Sequence, residues 1–162
     1  MPCWQLKHRS GEFYSSNVVA MTLKDSNTLS KLGWEKGFDW RKYFNKNEES
    51  DAYKLVIVGQ NAIQGAIAHK DAEDHVYIDL LESSPANRYI NKQREFVNVA
   101  DILLGAACLR SLEIGAQGFI AFTPKTKLYD YYKKRFNAKP LGRAQMYLDD
   151  VDAQRLIGLY YK

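Results

Sequence analysis

The sequence predicts an α/β fold built on a mixed sheet, and three features carry that reading. Residues 53–83 contain three runs rich in β-branched residues, separated by short turns, the pattern of an antiparallel meander. Residues 98–115 form an apolar run at helical spacing that stops at a glycine. From there strands and helices alternate to the C-terminus, as expected for helices packed on a sheet.

Each element has its own signal. Tyr53–Gly59 (YKLVIVG) reads as a strand; Gln60–Lys70 opens on a turn and continues as a second; His75–Ser83 is a third, alternating around Val76, Ile78 and Leu80. A polar segment, Ala86–Glu95, follows Ser84-Pro85. In the next helix Asn98 has the chemistry of an N-cap and Asp101 stands where a capping-box acid would. Ile102, Leu103, Ala106, Leu109 and Leu112 recur at helical spacing, yet the run is apolar nearly all round, which predicts a helix pressed against a sheet. Gly115 is the stop. Gly118–Thr123 reads as a short buried strand, and Thr126–Phe136 as a helix closed by Asn137 in the left-handed conformation. Gly142–Asp150 holds a strand around Met146–Leu148, and Asp150 caps a terminal helix running to Tyr160. The first fifty residues are less regular. Asn17–Asp25 reads as a strand ending in a turn, Ser26–Phe44 as short helical pieces broken by Gly33 and Gly37, and Asn45–Asp51 as a polar loop.

The 162 residues fit one domain, 1–162. No apolar run approaches the ~18 residues needed to span a bilayer, and the N-terminus lacks the apolar centre of a signal peptide. Cys3 and Cys108 share no metal-ligand spacing, the three histidines are scattered, and Cys108 reads as a buried free thiol. A cytoplasmic, reduced, metal-free protein is therefore expected. A net charge of +4 permits an anionic ligand without demanding one.

The order and residues of 53–149 resemble the GCN5-related N-acetyltransferase (GNAT) superfamily, with residues 1–50 as a divergent front half. The resemblance rests on the run from the 98–115 helix through FIAFT to LYDYYKKRFNAK, where Tyr131-Tyr132-Lys133-Lys134-Arg135-Phe136-Asn137 is similar to the family's Phe-Tyr-x-Lys-x-Gly-Phe signature. LLESSPANR (Leu80–Arg88) is similar to the end of the fourth strand in one bacterial branch, and GWEKGFDWRKYF, YKLV and IQGAIA to its front half. The resemblance implies a mixed, mostly antiparallel sheet with helices on both faces, acetyl-CoA as cosubstrate and no metal. The departure is in the phosphate-binding loop. Where the family has Gln/Arg-x-x-Gly-x-Gly/Ala, this chain has Glu95-Phe96-Val97-Asn98-Val99-Ala100, and only Ala100 fits.

A helix start can hold a diphosphate without those glycines, because the donors are the unpaired amides of the first turn, aided by the helix dipole. Asn98 tolerates positive φ and can hold the turn. The donors would be the amides of Val99, Ala100 and Asp101, with Val97 a further candidate. Glu95 and Asp101 place negative charge there, Lys92 and Arg94 offset it, and Asn98 can equally cap the amides a phosphate would use.

Acetyl transfer to an amine needs a base for the amine, polarisation of the thioester carbonyl and a proton for the departing thiolate. The resemblance implies cofactor contacts at Leu80 and Leu81, Glu82 as a base acting through water, a backbone N–H near Leu81 or Glu82 on the carbonyl, and Tyr132 as the acid. Lys125 stands where the family has an asparagine; it either meets a phosphate or is a solvated loop lysine. Trp34, Phe38, Asp39 and Trp40 form an aromatic cluster with one acid, which either receives an amine by cation–π and ionic contact or belongs to the core. The expected partners are acetyl-CoA and an amine-bearing acceptor (a small molecule, a peptide or a tRNA-linked group), with no membrane and a homodimer left open. Two other classes remain: a non-catalytic acyl-CoA-binding module, favoured by the altered loop, and a nucleic-acid binder, suggested by basic and aromatic residues in KLYDYYKKRF.

Overall fold

The computed structural model describes every residue except Lys36. Eight strands form one sheet: β1 (Trp4–Lys7), β2 (Phe13–Ala20), β3 (Asp51–Ile57), β4 (Ile63–Asp71), β5 (Val76–Ser83), β6 (Ile120–Phe122), β7 (Lys139–Leu141) and β8 (Gln145–Leu148). The spatial order is β1-β2-β3-β4-β5-β6-β8-β7. Every neighbouring pair is antiparallel except β5 and β6.

β4 carries small and branched residues on alternate positions and is buried on both faces. Ile67 faces a core shared with helices α2 (Val99–Glu113) and α4 (Asp150–Tyr160), alongside Leu6, Leu55, Ile102, Leu103 and Leu156. Ala66 and Ala68 face a second core with Met21, Leu29, Trp34, Trp40 and Tyr43, supplied by helix α1 (Leu23–Lys31) and a 3-10 turn at Trp40–Phe44. Helix α3 (Tyr129–Phe136) plants Phe136 in the first core. The nearly all-round apolar character of α2 is explained by its place between the sheet and α4. Its start lies so close to the sheet that a side chain at Gly65 would stand 2.5 Å from a Val99 methyl.

Several boundaries differ from the sequence reading. β1 and β7 were not anticipated. α1 begins before Ser26, because Thr22 and Asp25 form a capping box. The terminal helix is capped by Asp149, paired with Asp152, and Asp150 is its first residue. The 126–136 helix starts as a 3-10 turn, Thr126–Leu128. Asn137 does adopt the left-handed conformation, at φ 60°, and Cys108 is a fully buried free thiol. Among the described residues no helix is long and apolar enough to cross a membrane.

Candidate functional site

β5 and β6 pair only over Val76–Ile78 and Ile120–Phe122. β5 then runs on to Ser83 while β6 ends before Thr123-Pro124, where the proline has no N–H to continue a ladder. The gap opens into a cavity of about 460 Å³. Its walls are Ile78–Ser83 of β5, Phe122–Lys125, the start of α2, Tyr131 and Tyr132 of α3, Arg88–Ile90, and Glu35 and Phe38 from the front half.

The start of α2 carries no side-chain cap. Asn98 does not cap the helix, as the sequence suggested; it is buried and turned the other way. Its Oδ1 accepts from the Lys7 amide at 2.7 Å and its Nδ2 donates to the Gln5 carbonyl at 3.0 Å. Its φ is −126°, so no glycine-like conformation is needed, and it does not line the cavity. Val97 lines the cavity, but its amide donates to the Lys7 carbonyl at 2.9 Å, which removes it as an anion donor. β1 thus acts as a splint for the loop, helped by Arg9, whose amide donates to the Glu95 carbonyl at 2.8 Å. On the other side buried Asn87 donates to Gln64 and accepts from the Phe96 amide at 3.0 Å. What remains toward the cavity is the first turn of α2, Val99, Ala100 and Asp101, whose amides have no intrahelical partner. Asp101 is not a capping-box acid: its carboxylate pairs with Arg135 at 2.9 Å, and burial outweighs the guanidinium in pushing its pKa up. Glu95 is exposed and outside the cavity, whereas Arg94 lines it, so of these neighbours the cation and not the acid faces the cavity.

Glu82 sits in the unpaired half of β5 and is 6% exposed. Its Oε2 accepts from the Glu35 amide at 2.7 Å and its Oε1 from the Trp40 indole N–H at 2.8 Å, with the Arg88 guanidinium 3.7 Å away. Burial raises its pKa above the ordinary carboxylate value, and the Trp40 and Glu35 donors and Arg88 pull part of that back. Leu80 and Leu81 line the same wall.

Tyr132 packs its ring on Phe122 at 5.0 Å, and burial pushes its phenol up to about 12. Its hydroxyl has no hydrogen-bond partner among the described residues and is not sealed from solvent, which leaves it facing the cavity that the residue lines. Lys125 lies at the cavity wall with its ammonium 5.1 Å from the Phe38 ring centroid.

The aromatic cluster of the front half is divided. Phe38 lines the cavity. Trp34 and Trp40 are 4% and 2% exposed in the second core, so they are not a surface for an acceptor. Asp39 is exposed, accepts from the Arg41 amide as cap of the 3-10 turn, and stays outside the cavity. Sequence reasoning gave no role to Glu35, Arg88, Asn87 or Arg135. All four nevertheless stood within quoted motifs: Glu35 in GWEKGFDWRKYF, Asn87 and Arg88 in LLESSPANR, and Arg135 in the α3 signature.

No protein-family model matches the sequence, and no curated protein matches it significantly. Solved structures do match in shape. A probable GNAT-family acetyltransferase from Chromobacterium violaceum superposes with a TM-score of 0.60 at 10% identity, over 85% of this chain and 84% of that one. The spermidine/spermine N-acetyltransferase SpeG from Vibrio cholerae gives 0.59 at 10% identity, over 86% and 96%. A GNAT-family acetyltransferase from Brucella melitensis, in complex with acetyl-CoA, gives 0.53 at 11% identity, over 84% and 88%. The eight-stranded, mostly antiparallel sheet with its parting at β5 and β6 is therefore the GNAT fold.

Proposed function

We propose that this protein is an N-acetyltransferase that takes an acetyl group from acetyl-CoA and passes it to a primary amine. The observation that carries the reading is the uncapped start of α2 opening into the gap between β5 and β6. The amides of Val99, Ala100 and Asp101 would hold the diphosphate, with Arg94 adding charge. The thioester would lie along Leu80 and Leu81, where alternate N–H groups of β5 point away from β4 into the gap and can polarise the carbonyl. The amine nitrogen attacks the carbonyl carbon; its proton passes through water to Glu82. The carbon–sulfur bond then breaks, and Tyr132 donates its proton to the thiolate. A carboxylate raised by burial is a stronger base, which suits Glu82; a phenol near 12 stays protonated at neutral pH, so Tyr132 holds a proton to give, although burial makes it a weaker acid than a free tyrosine. Lys125 and Phe38 would border the acceptor.

The test is calorimetric titration with acetyl-CoA, followed by free-thiol detection with a panel of primary amines. Thiol release that requires both acetyl-CoA and an amine is the expected result. A second reading, a non-catalytic acyl-CoA-binding module, is favoured by the involvement of both Glu82 oxygens with protein donors; it predicts binding with no thiol release. Absence of binding overturns both.

A further inference from the structure

We propose that Trp40 is a positioning residue: its indole N–H holds the Glu82 carboxylate in the orientation that receives the acceptor's proton. The inference rests on the reading of Glu82 as the base.

Trp40 comes from the second core, against which the cavity residues Phe38 and Leu80 also pack. Its ring is 2% exposed, packed 5.7 Å from the Tyr43 ring, and its backbone is fixed because Asp39 caps the turn that begins at Trp40. The indole therefore has one orientation, and its N–H would be left buried and unpaired without Glu82, an arrangement that is strongly unfavourable. The bond at 2.8 Å consequently fixes Oε1, while the Glu35 amide fixes Oε2. A carboxylate offers about four lone-pair sites, so two remain for a water from the cavity. The same bonds hold Glu35 and Phe38 at the cavity wall, and Arg88 strengthens the junction by donating to the Gly33 carbonyl at 3.1 Å. The groups facing Glu82 are these two N–H donors, the Arg88 guanidinium and the Glu35 carboxylate. The first three favour its charged form and the last opposes it.

Loss of the indole donor raises the Glu82 pKa further, so the acidic limb of the pH–rate profile moves to higher pH. Trp40→Phe removes the donor and keeps a ring. Incorporation of the benzothiophene analogue of tryptophan at position 40 removes the N–H while keeping the core filled, and serves if the phenylalanine variant does not fold. In the intact protein, the pH dependence of amine-dependent thiol release, the KM for acetyl-CoA, and a carbon-13 titration of the Glu82 carboxyl would be measured. The expected result is a limb and a carboxyl titration both shifted up by about one pH unit, lower turnover below the limb, and an unchanged KM for acetyl-CoA. If the wild type releases thiol and neither limb nor titration moves in the analogue, the inference falls alone. If the wild type releases no thiol, the transferase reading falls and takes the inference with it.

Discussion

The starts of α4 and α2 solve the same physical problem in opposite ways. At α4, Asp149 accepts from the Asp152 amide at 3.0 Å, Asp152 answers at 3.1 Å, and Lys139 ties both carboxylates together. Two of the amides at that helix start, those of Asp149 and Asp152, are taken by the chain's own side chains. At α2 the same residue types are present, Asn98 at the cap and Asp101 three residues on, but both are drawn elsewhere, Asn98 to β1 and Asp101 to Arg135. Two helix starts with similar letters thus differ in whether their own side chains cap them. The difference lies in partners distant along the chain, which no local motif records.

Asn98→Ala offers the strongest way to break this contrast. It leaves the Lys7 N–H and Gln5 carbonyl unpaired in a partly buried place and should lower stability by about 2–3 kcal/mol in denaturant unfolding. A loss of only ~1 kcal/mol, the value of an ordinary cap, would mean that Asn98 is no splint. Next in size, Tyr132→Phe should reduce turnover by ~10²-fold with the dissociation constant of acetyl-CoA unchanged; equal turnover would leave the cavity-facing hydroxyl without a chemical role. The smallest effect belongs to α4: Asp149→Ala should cost about 1 kcal/mol at neutral pH. The hydrogen bond from Lys139, then that from the Asp152 amide, holds the Asp149 pKa down to about 2, below its unfolded value of 3.8. Its contribution is therefore complete above that unfolded value and is lost as pH falls toward 2. Thermal melts from pH 7 to 2 should show wild type and variant converging at the acidic end, and a constant gap would assign the effect to something other than the carboxylate.

The parts of the fold that could be read in advance are those whose signal is local. β3, β4 and β5 carry runs of branched residues, α2 a long apolar period, and Asn137 a residue type suited to its left-handed turn. β1 has four residues and is a strand only because β2 pairs with it, and β7 is a three-residue edge piece containing Pro140. α1 was legible in principle, since Thr22 and Asp25 have capping-box spacing, but Ser26 is also a plausible cap. In the candidate site the same rule holds. Glu82, Tyr132 and the α2 turn could be named from the family resemblance, whereas the direction of Asn98 depends on β1, and the partner of the Trp40 indole N–H is a glutamate far along the chain.

β1, which splints the α2 loop, is itself clasped at its outer edge by the last residues: the Cys3 and Lys162 backbones exchange hydrogen bonds at 2.9 Å, and Trp4 bridges Tyr161. The inner edge of β1 pairs with its neighbour β2, but its outer edge stays open until residues 161 and 162 arrive. Closing so long a loop carries a large entropic toll, and until it closes the loop before α2 is held by a strand that lacks its outer clasp. Ligand-competent protein should accordingly appear only with the slowest folding phase, after the sheet centre and α2 have already packed.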